Sequence, residues 1–445
     1  MKLKSKYTVV LIAFLGLLFQ NCSSKIIETK PNIIIFFTDD QGYADVGCYG
    51  AEGFETPNFD KLASEGIRFT NFYVPATVCT PSRAALLTGK YPKRVGLHEG
   101  VISPYSTHGL DPKEYTLAEM LKDNGYTTSI IGKWHLGHQE KYMPNNQGFD
   151  EFYGVPYSND MDSHYYKHND FQSPPLPFYR NTTLIGEGLD QRYLTKMYTE
   201  ETVTQIKNRS KEKPFFIYLA HNMPHTPLYV SEKFAGKSKL GLYGDVIMEL
   251  DWSAGEIIKT LKDEGIYDNT IFIFTSDNGP RVGSAKPLRG LKAETWEGGQ
   301  RVPAIISWPN KIPKGIVSDE IISTLDLFPT FGKISGATFS DDLQLDGIDL
   351  STIFEFPETA KLNKRPFYFY ARNGDLEAVR FGKWKLHILK SKGWNKSEDG
   401  EFPVSLFNLE IDIEEKSNVA EQNPEIVEKL KQKLFEFDKT LSNKK

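Results

Sequence analysis

Two acidic clusters follow two apolar runs of the chain, and their side chains are typical ligands of a hard metal ion. The runs are PNIIIFFTDDQG and TIFIFTSDNGP, and they end in Asp39, Asp40, Asp277 and Asn278. Ligands of an open parallel sheet gather at the carboxyl ends of its strands, so the two clusters can meet there. The resulting all-oxygen set suits a hard divalent cation, Ca²⁺ or Mg²⁺, and does not suit Zn²⁺. For either cluster alone, a turn or helix cap is the alternative.

Cys79 precedes a predicted helix in the sequence VCTPSRAALLTG, where its thiol could act as a nucleophile. Pro81 is favoured in a first helical turn, Thr80 can cap the helix and Gly89 can end it. The positive end of the helix and Arg83 predict a lowered pKa and a reactive thiol at Cys79. A buried structural cysteine is an equally good interpretation of these residues alone.

The composition is that of a globular protein, and it limits the partners. Among 445 residues, 39% are hydrophobic and 25% are charged, and the formal net charge is −5. This balance argues against a nucleic-acid partner but allows a local basic pocket for an anionic substrate. The chain has three cysteines, Cys22, Cys48 and Cys79, which are too few for a disulfide framework.

The amino-terminal segment is typical of an export signal. Residues 1–22 contain three lysines and then an apolar run that is too short to span a bilayer. Because the run leads to Cys22, the segment resembles a bacterial lipoprotein signal, which implies lipidation of Cys22 and a tether over residues 23–30. A simply cleaved signal or an uncleaved anchor is the alternative. We expect an exported protein, periplasmic or at the cell surface, that contacts the membrane through its lipid anchor only.

Further apolar runs alternate with helical patterns along most of the chain. TTSIIG, PFFIYLAH and PAIISWP have the unbroken apolar character of strands that are buried on both faces, and amphipathic patterns lie between the runs. This alternation predicts an α/β fold over residues 31–352, a sandwich in which helices flank a large, mostly parallel central sheet.

Residues 353–445 have a different pattern, which predicts a small C-terminal α+β subdomain. FYFYAR, EAVRFGKWKLHIL and SLFNLEID are typical of antiparallel strands, and Gly382 with Lys383 can form a hairpin turn. The amphipathic sequence PEIVEKLKQKLFEF predicts a final helix.

Two longer motifs give the sequence a family resemblance. CTPSRAALLTG, Cys79–Gly89, and GYTTSIIGKWHLG, Gly125–Gly137, resemble the two signatures of the type I, formylglycine-dependent sulfatases. The likeness extends from about Pro31 into the C-terminal subdomain and is greatest for the branch of arylsulfatase A and N-acetylgalactosamine-6-sulfatase. It implies an alkaline-phosphatase-like fold. It also implies that a maturation enzyme oxidises Cys79 to Cα-formylglycine (3-oxoalanine).

The resemblance also implies a role for each motif residue. Ca²⁺ would be held by the two acidic clusters together with the formylglycine. Arg83 would stabilise the hydrated aldehyde, and Lys133 and His135 would contact it and the sulfate, with His135 as the base that releases sulfate. His225 and Lys292 would contact the sulfate ester and assist departure of the alcohol. These residue types suit the reaction, because an anionic ester needs fixed cations and a basic leaving group needs an acid.

The expected function is hydrolysis of sulfate monoesters on a carbohydrate. The resemblance implies exo-action on sulfated galactose or N-acetylgalactosamine in oligosaccharides. A phosphomonoester or phosphonate monoester hydrolase of the same superfamily is the first alternative, although a single-metal ligand set with lysine and histidine around the anion favours sulfate. An inactive carbohydrate-binding lipoprotein is the second alternative, and the intact motif residues argue against it.

A polar loop after the second motif is the candidate for substrate recognition. The sequence VPYSNDMDSHYYKHNDFQ is rich in aromatic, amide and acidic side chains, which suit a sugar. An irregular surface loop is an equally good interpretation. The candidate substrate-binding residues are Asn159, Asp160, Asp162 and His164. His98, Glu99 and Arg281 are further candidates near the motifs.

Overall fold

Ten strands form one mixed sheet at the centre of the protein. The protein is seen in a computed structural model, which describes residues 30–163, 173–340, 342–362, 364–391, 393–394 and 402–442. The strands are β1 Asn32–Thr38, β2 Ile67–Phe69, β3 Phe72–Tyr73, β4 Thr127–Lys133, β5 Glu151–Val155, β6 Pro177–Arg180, β7 Thr183–Glu187, β8 Phe215–Ala220, β9 Thr270–Ser276, β10 Ala304–Ser307, β11 Ile316–Ser318, β12 Ile322–Ser323, β13 Phe367–Tyr370, β14 Leu376–Phe381, β15 Trp384–His387 and β16 Ser405–Asn408. The order across the central sheet is β11-β2-β10-β9-β1-β8-β4-β5-β6-β7.

The five middle strands of this sheet run parallel, as the sequence predicts. They are β9, β1, β8, β4 and β5. The strands toward both edges add antiparallel pairs, and β10, from the sequence PAIISWP, is antiparallel to both β9 and β2. That run therefore differs from the other predicted strands in direction. The predicted fold class, an α/β sandwich with a large, mostly parallel sheet, is confirmed.

Helices cover both faces of the sheet. The described helices are α1 Pro57–Ser64, α2 Cys79–Thr88, α3 Leu117–Asp123, α4 Leu194–Asn208, α5 Leu242–Asp263, α6 Glu297–Gln300, α7 Leu327–Ser335, α8 Ser351–Glu355 and α9 Pro424–Ser442. Side chains of β1 alternate between two cores: Ile33, Ile35 and Phe37 pack with α2, α3 and α7, while Ile34 and Phe36 pack with α1, α4 and α5. The run is apolar throughout because both faces of the strand are buried.

A second sheet, of four antiparallel strands, lies in the C-terminal region. Its order is β13-β14-β15-β16, and Gly382 in the β14–β15 turn has a positive φ of 58°, which glycine adopts readily. The predicted strands, hairpin turn and final helix, α9, are all present. The domain boundary near residue 353 stays a prediction.

The predicted export signal, residues 1–22 with Cys22, and residues 23–29 of the tether lie outside the described residues. Within the described parts, no helix combines the length and apolar character needed to cross a membrane. Cys48 and Cys79 are both free thiols.

Buried charges connect the C-terminal sheet to the segment around Thr295 and Glu297. Lys385 Nζ on β15 lies 3.1 Å from Glu297 Oε1 and 3.0 Å from Glu415 Oε1, and all three side chains are fully buried. Lys385 also donates to the Thr295 carbonyl at 2.9 Å, and Glu415 accepts the backbone N–H of Glu297 at 2.7 Å. Burial would raise the pKa of Glu297, but the surrounding cations, Lys385 first among them, lower it to about 2. The segment that contains Glu297 is therefore held from the C-terminal side.

Replacing Lys385 with methionine should lower the free energy of unfolding by about 3–5 kcal/mol, because two buried carboxylates would lose the lysine they share, and Glu297 would keep only Arg301 and Arg380. Lys383→Met is the matched control, since Lys383 belongs to the same hairpin but meets Glu410 at 3.8 Å on the surface. Lys383→Met should lower the free energy of unfolding by less than about 1 kcal/mol. Denaturant unfolding of both variants measures the difference, and equal effects would contradict the role of the buried network.

Candidate active site

The pairing of β1 with β9 brings the two acidic clusters together. Thr38 and Ser276, the last residues of these strands, are register partners, so the residues that follow them are neighbours. The backbone N–H of Asp40 donates to Asp277 Oδ1 at 3.0 Å, and Asn278 Nδ2 donates to Asp40 Oδ1 at 2.7 Å. Asp39, like these three residues, is fully buried. The carboxyl edge of the sheet thus presents one four-residue cluster, as the sequence predicts.

Cys79 is the first residue of α2, which begins beside this cluster. The helix is capped by the extended residue Val78, whose side chain makes no capping bond, and it ends at Gly89 with a φ of 65°. The prediction that Thr80 caps the helix is wrong. Thr80 Oγ1 instead accepts the N–H of Ile102 at 3.1 Å and donates to the carbonyl of His135 at 3.0 Å. The hydroxyl therefore fixes the second motif against the first.

Three buried cations neutralise the acidic cluster and surround Cys79. Lys133 Nζ lies 2.5 Å from Asp39 Oδ2. Lys292 Nζ lies 2.6 Å from Asp40 Oδ1 and 3.6 Å from Cys79 Sγ. The third cation, an arginine of α2, lies 2.8 Å from the nearest carboxylate of the cluster.

That arginine is Arg83, one turn into the helix. Its Nε and Nη2 both donate to Asp277 Oδ2, at 3.2 and 2.8 Å, and its Nη1 donates to the Lys133 carbonyl at 3.1 Å. Such a two-pronged contact holds both planar groups in one orientation. Arg83 therefore joins β4, β9 and α2 at the centre of the site.

Burial and charge shift the pKa values of this cluster in opposite directions. Burial raises the pKa of Asp277 to about 7, and the charge of Asp39 adds to this, while Arg83 opposes it. Burial also acts to raise the pKa of Asp39, but Lys133, His225 and Arg83 hold it well below its usual range. Crowded carboxylates of this kind are a natural position for a divalent cation.

The lowered pKa that the helix start predicts for Cys79 is not found. Burial raises the pKa of its thiol to about 12, although Lys133 and Lys292 act in the opposite direction. The thiol is completely buried, so desolvation of the thiolate outweighs both the helix end and the nearby cations. An unmodified Cys79 is a neutral thiol in this environment.

Two histidines of the predicted set have defined ring orientations. His135 is fully buried, and its Nε2 lies 2.9 Å from the Ile102 carbonyl, so Nε2 carries the proton and Nδ1 is left as an acceptor. His225 Nδ1 lies 2.6 Å from the Thr226 carbonyl, so its Nε2 faces Asp40 Oδ2 at 3.6 Å. Burial lowers the pKa of both rings.

His221, near His225 in the sequence, has a structural role. Its ring packs on Phe36 with centroids 4.6 Å apart, and its Nε2 lies 3.4 Å from Ser253 Oγ. Burial lowers the pKa of His221 to about 3, so the ring is a neutral part of the core.

Unpartnered oxygen atoms indicate where a metal ion would fit. Asp39 Oδ1 and Asn278 Oδ1 are buried and have no hydrogen-bond partner within the described parts of the chain. Asp39, Asp40, Cys79 and His225 offer ligand atoms that all lie within 4.8 Å of one another. Buried oxygens without a donor are costly unless a cation satisfies them. The residues therefore fit a divalent metal, and carboxylate and amide oxygens suit a hard ion.

Strained backbone marks three loops of the site. Asp40, His135 and Ala293 have positive φ angles of 66°, 62° and 71°, which are unusual for residues with a β-carbon. Ala293 directly follows Lys292, and its N–H donates to the Thr77 carbonyl at 2.9 Å. Such strain persists where the surroundings hold the backbone, and it is typical of functional sites.

The candidate substrate-binding residues lie close to the histidine loop. Asn159 is buried and donates to Gln191 Oε1 at 3.1 Å and to the Pro227 carbonyl at 3.4 Å. Gln191 Nε2 in turn donates to Asp162 Oδ2 at 3.2 Å. Asn159 and Asp162 thus have structural partners, and Asp160 is half-buried beside them. Their role toward a substrate stays a prediction, and the remaining candidate, His164, lies outside the described residues.

Ser158 belongs to the site but was not singled out from the sequence. Lys133 Nζ donates to Ser158 Oγ at 3.1 Å, and the serine is fully buried. The signal available was its position: Ser158 follows β5, and the end of β5 pairs with the end of β4 at Lys133. A short polar residue at that edge of the sheet is a candidate for the site.

Comparison with known proteins agrees with this geometry. The family model named Sulfatase matches residues 31–337, well over half of the chain, and the model for the C-terminal region of aryl-sulfatase matches residues 363–445. The chain belongs to the sulfatase family. This sulfatase is therefore a sulfuric ester hydrolase by membership.

Named relatives cover most of the sulfatase. It is 36% identical to human arylsulfatase A, over 91% of this chain and 87% of the relative. It is 37% identical to N-acetylgalactosamine-6-sulfatase from Canis lupus familiaris, over 83% of this chain and 74% of the relative. Among solved structures, Ps i-CgsB in complex with k-i-k-neocarrahexaose matches with a TM-score of 0.80 and 33% identity, over 92% of this chain and 93% of that one. The predicted recognition and alkaline-phosphatase-like fold are confirmed.

Thr80→Val should lower turnover of an aryl sulfate about tenfold, because removing the hydroxyl frees the His135 segment from α2. The buried N–H of Ile102 would lose its acceptor, at a cost of about 1–3 kcal/mol in the free energy of unfolding. Thr80→Ser keeps the hydroxyl and should retain activity.

Thr88→Val is the matched control in the same helix, because Thr88 Oγ1 bonds only to the local Ala84 carbonyl at 2.8 Å. Steady-state kinetics and denaturant unfolding of the three variants provide the measurement. Equal losses in Thr80→Val and Thr80→Ser would show that the hydroxyl does not position His135.

Proposed function

We propose that this sulfatase hydrolyses sulfate monoesters on a carbohydrate at the site around Cys79. The observation that carries the proposal is the position of Lys292, whose ammonium group contacts both Cys79 and Asp40. One point at the sheet edge therefore combines three features: the position of the attacking group, a fixed cation for the sulfate, and the metal ligands. Fixed charges in a water-poor site stabilise developing negative charge more strongly than solvent does.

The proposed nucleophile is the hydrate of Cα-formylglycine, formed when a maturation enzyme oxidises Cys79. The hydrate supplies one hydroxyl for attack on sulfur and a second for release of sulfate. The surroundings of residue 79 support this, because burial raises the pKa of the unmodified Cys79 thiol to about 12, so the thiolate that an ordinary cysteine nucleophile requires is disfavoured. Arg83 holds the acidic cluster beside the residue, and Lys133 and Lys292 face it.

The proposed metal ion is Ca²⁺, with Mg²⁺ as second choice. Its ligands would be Asp39, Asp40, Asp277, Asn278 and the modified residue 79. When bound, the ion supplies positive charge for the sulfate oxygens and for the nucleophile. The unpartnered oxygens described above support this ligand set.

The two histidines suit proton transfer at different stages. His135 presents an unprotonated Nδ1, which can take the proton whose removal releases sulfate. His225 presents Nε2 on the side of Asp40, next to Lys292. Lys292 can protonate the departing alcohol directly, whereas His225 can do so only as the doubly protonated ring, because its single proton otherwise lies on Nδ1. This assignment uses only the ring orientations that the carbonyls of Ile102 and Thr226 impose.

The proposed substrate is a sulfated galactose or N-acetylgalactosamine at the end of an oligosaccharide. The names of the relatives support this: one acts on N-acetylgalactosamine 6-sulfate by its name, and one was solved with a carrageenan-type hexasaccharide. We further propose that the protein is exported and anchored by lipid at Cys22, which the sequence of residues 1–22 supports.

Cys79→Ala should abolish aryl sulfate turnover while leaving the thermal unfolding midpoint nearly unchanged. Wild-type protein produced with a maturation enzyme should carry an aldehyde at residue 79, seen in peptide mass spectra as replacement of the thiol by a carbonyl oxygen. Protein produced without that enzyme should be folded and inactive. Retained activity in Cys79→Ala would refute the assigned nucleophile.

The phosphate alternative is tested with the same preparation. Aryl sulfate and aryl phosphate esters with the same leaving group should differ in kcat/KM, with sulfate preferred. A preference for the phosphate ester would overturn the proposed reaction.

Removing the metal should lower both activity and stability. A ligand at 100 times its dissociation constant stabilises the folded state by about 2.7 kcal/mol, so Ca²⁺ should raise the unfolding midpoint of chelator-treated protein. Asp39→Asn should lose most of this response. Asp45→Asn is the matched control, because Asp45 is a buried carboxylate that bonds Tyr243 and the N–H of Ser284 instead. An identical Ca²⁺ response in both variants would refute the ligand set.

A further inference from the structure

Trp394 is an exposed aromatic side chain between two arginines. Its exposed fraction is 45%, which is high for tryptophan. The Arg372 guanidinium lies 4.3 Å from the ring centroid, and the Arg281 guanidinium lies 5.8 Å from it. Within the described parts of the chain, neither arginine forms an ion pair. The three side chains, which we call the Trp394 platform, therefore combine an exposed aromatic ring with two positive charges that have no ion-pair partner among the described residues.

The platform is attached to the segment that carries Lys292. The N–H of Thr295 donates to Ser391 Oγ at 2.6 Å. A β-carbon on Gly393 would lie 2.7 Å from Glu294 Cγ, so these two segments are in direct contact. Trp394 follows Gly393 in the chain. It is therefore anchored within a few residues of the ammonium group that touches Cys79.

Arg281 reaches the platform from the metal-ligand loop. It comes four residues after Asp277, and the carbonyl of the intervening Pro280 accepts the N–H of Lys292 at 2.9 Å. The loop that follows Asp277 is thus hydrogen-bonded to the Lys292 segment. Arg281 itself is exposed, so its guanidinium is available at the rim of the site.

Arg372 reaches the platform from the C-terminal sheet, and the backbone around it contacts residues near a cavity beside α2. Its carbonyl accepts the N–H of Gly100 at 2.7 Å, and a β-carbon on Gly374 would lie 2.5 Å from the His98 ring. His98 and Thr80 both line a cavity of about 340 Å³. Because Thr80 also bonds the His135 segment, this wall of the cavity is continuous with the catalytic edge.

We propose that the Trp394 platform binds a second, anionic sugar residue next to the sulfated sugar that is hydrolysed. The inference rests on the proposed function, and it names the substrate class further: an oligosaccharide with an acidic group, sulfate or carboxylate, on the neighbouring residue. The C–H groups of the sugar pack against the exposed part of the Trp394 ring that the two guanidinium groups leave uncovered. The two guanidinium groups pair with the acidic group, because their planar forks match sulfate and carboxylate oxygens.

A purely structural role explains the platform less well. Here two cations, from separate parts of the chain, share one exposed ring and have no acidic partner within the described residues. Like charges held close together are stabilised by an anion that both can contact.

The test measures kcat and KM of the matured wild-type enzyme and of its Trp394→Ala and Arg372→Ala variants. Three substrates are compared: an aryl sulfate, N-acetylgalactosamine 6-sulfate, and a tetrasaccharide that ends in this sugar and has an acidic group on the neighbouring residue. Both variants should raise KM for the tetrasaccharide about tenfold, as for loss of one well-packed contact, and should change the two small substrates less than twofold. A fourth substrate, the tetrasaccharide with a neutral neighbour, should respond to Trp394→Ala but not to Arg372→Ala.

Lys262→Ala is the matched control, because Lys262 lies over the Tyr267 ring at the same distance of 4.3 Å but near the amino end of β9. This variant should leave KM unchanged for all four substrates. Unchanged KM values for the tetrasaccharide in both platform variants would overturn the inference while leaving sulfate hydrolysis intact. Equal losses on the aryl sulfate and the tetrasaccharide would also overturn it, by showing a structural role. An enzyme inactive on every sulfate ester would instead refute the proposed function.

Discussion

Compensation of buried charge at the carboxyl edge of the sheet is the constraint on which the rest of the structure depends. Asp39, Asp40 and Asp277 are buried together, and each has a cation in contact. A buried carboxylate without a partner would cost several kcal/mol, so the lysines and Arg83 must arrive from β4, α2 and the loop after β9 in register. The raised pKa of Asp277, about 7, shows that three cations still leave the acids crowded. A divalent ion would remove that crowding.

This constraint explains why the candidate site residues lie at or next to the ends of rigid elements. β1, β8 and β9 are buried on both faces, and their last residues cannot shift without disturbing two cores. The strained backbone at Asp40, His135 and Ala293 is tolerated for the same reason, since the surrounding packing determines these angles. The positions of the site residues are thus determined more by the sheet than by the loops.

The sequence predicts the parts of this site that depend on local pattern. Acids after unbroken apolar runs predict both the strands and the edge where their ends meet, because the rule links strand burial to ligand position. Prediction from local pattern fails for features that depend on burial or on contacts between residues far apart in the chain. The helix start predicts a reactive Cys79 thiol, but complete burial reverses the shift, and burial is set by packing far along the chain. Thr80 bonds across to Ile102 instead of capping its helix, and Ser158 is recognisable only once β4 and β5 are paired.

The role of the C-terminal sheet could not be predicted at all, because it rests on contacts between residues about ninety positions apart, such as Lys385 with Thr295. That sheet contributes none of the residues around Cys79, yet it holds the Lys292 segment through buried charges and presents Trp394 and Arg372 at the rim. The two tasks can vary separately: under our proposal a change at Trp394 alters what the rim contacts, whereas the buried pair of Lys385 and Glu297 holds the segment that contains Lys292. A division of this kind lets one reaction centre serve different sulfated substrates without disturbing the charge balance beneath it.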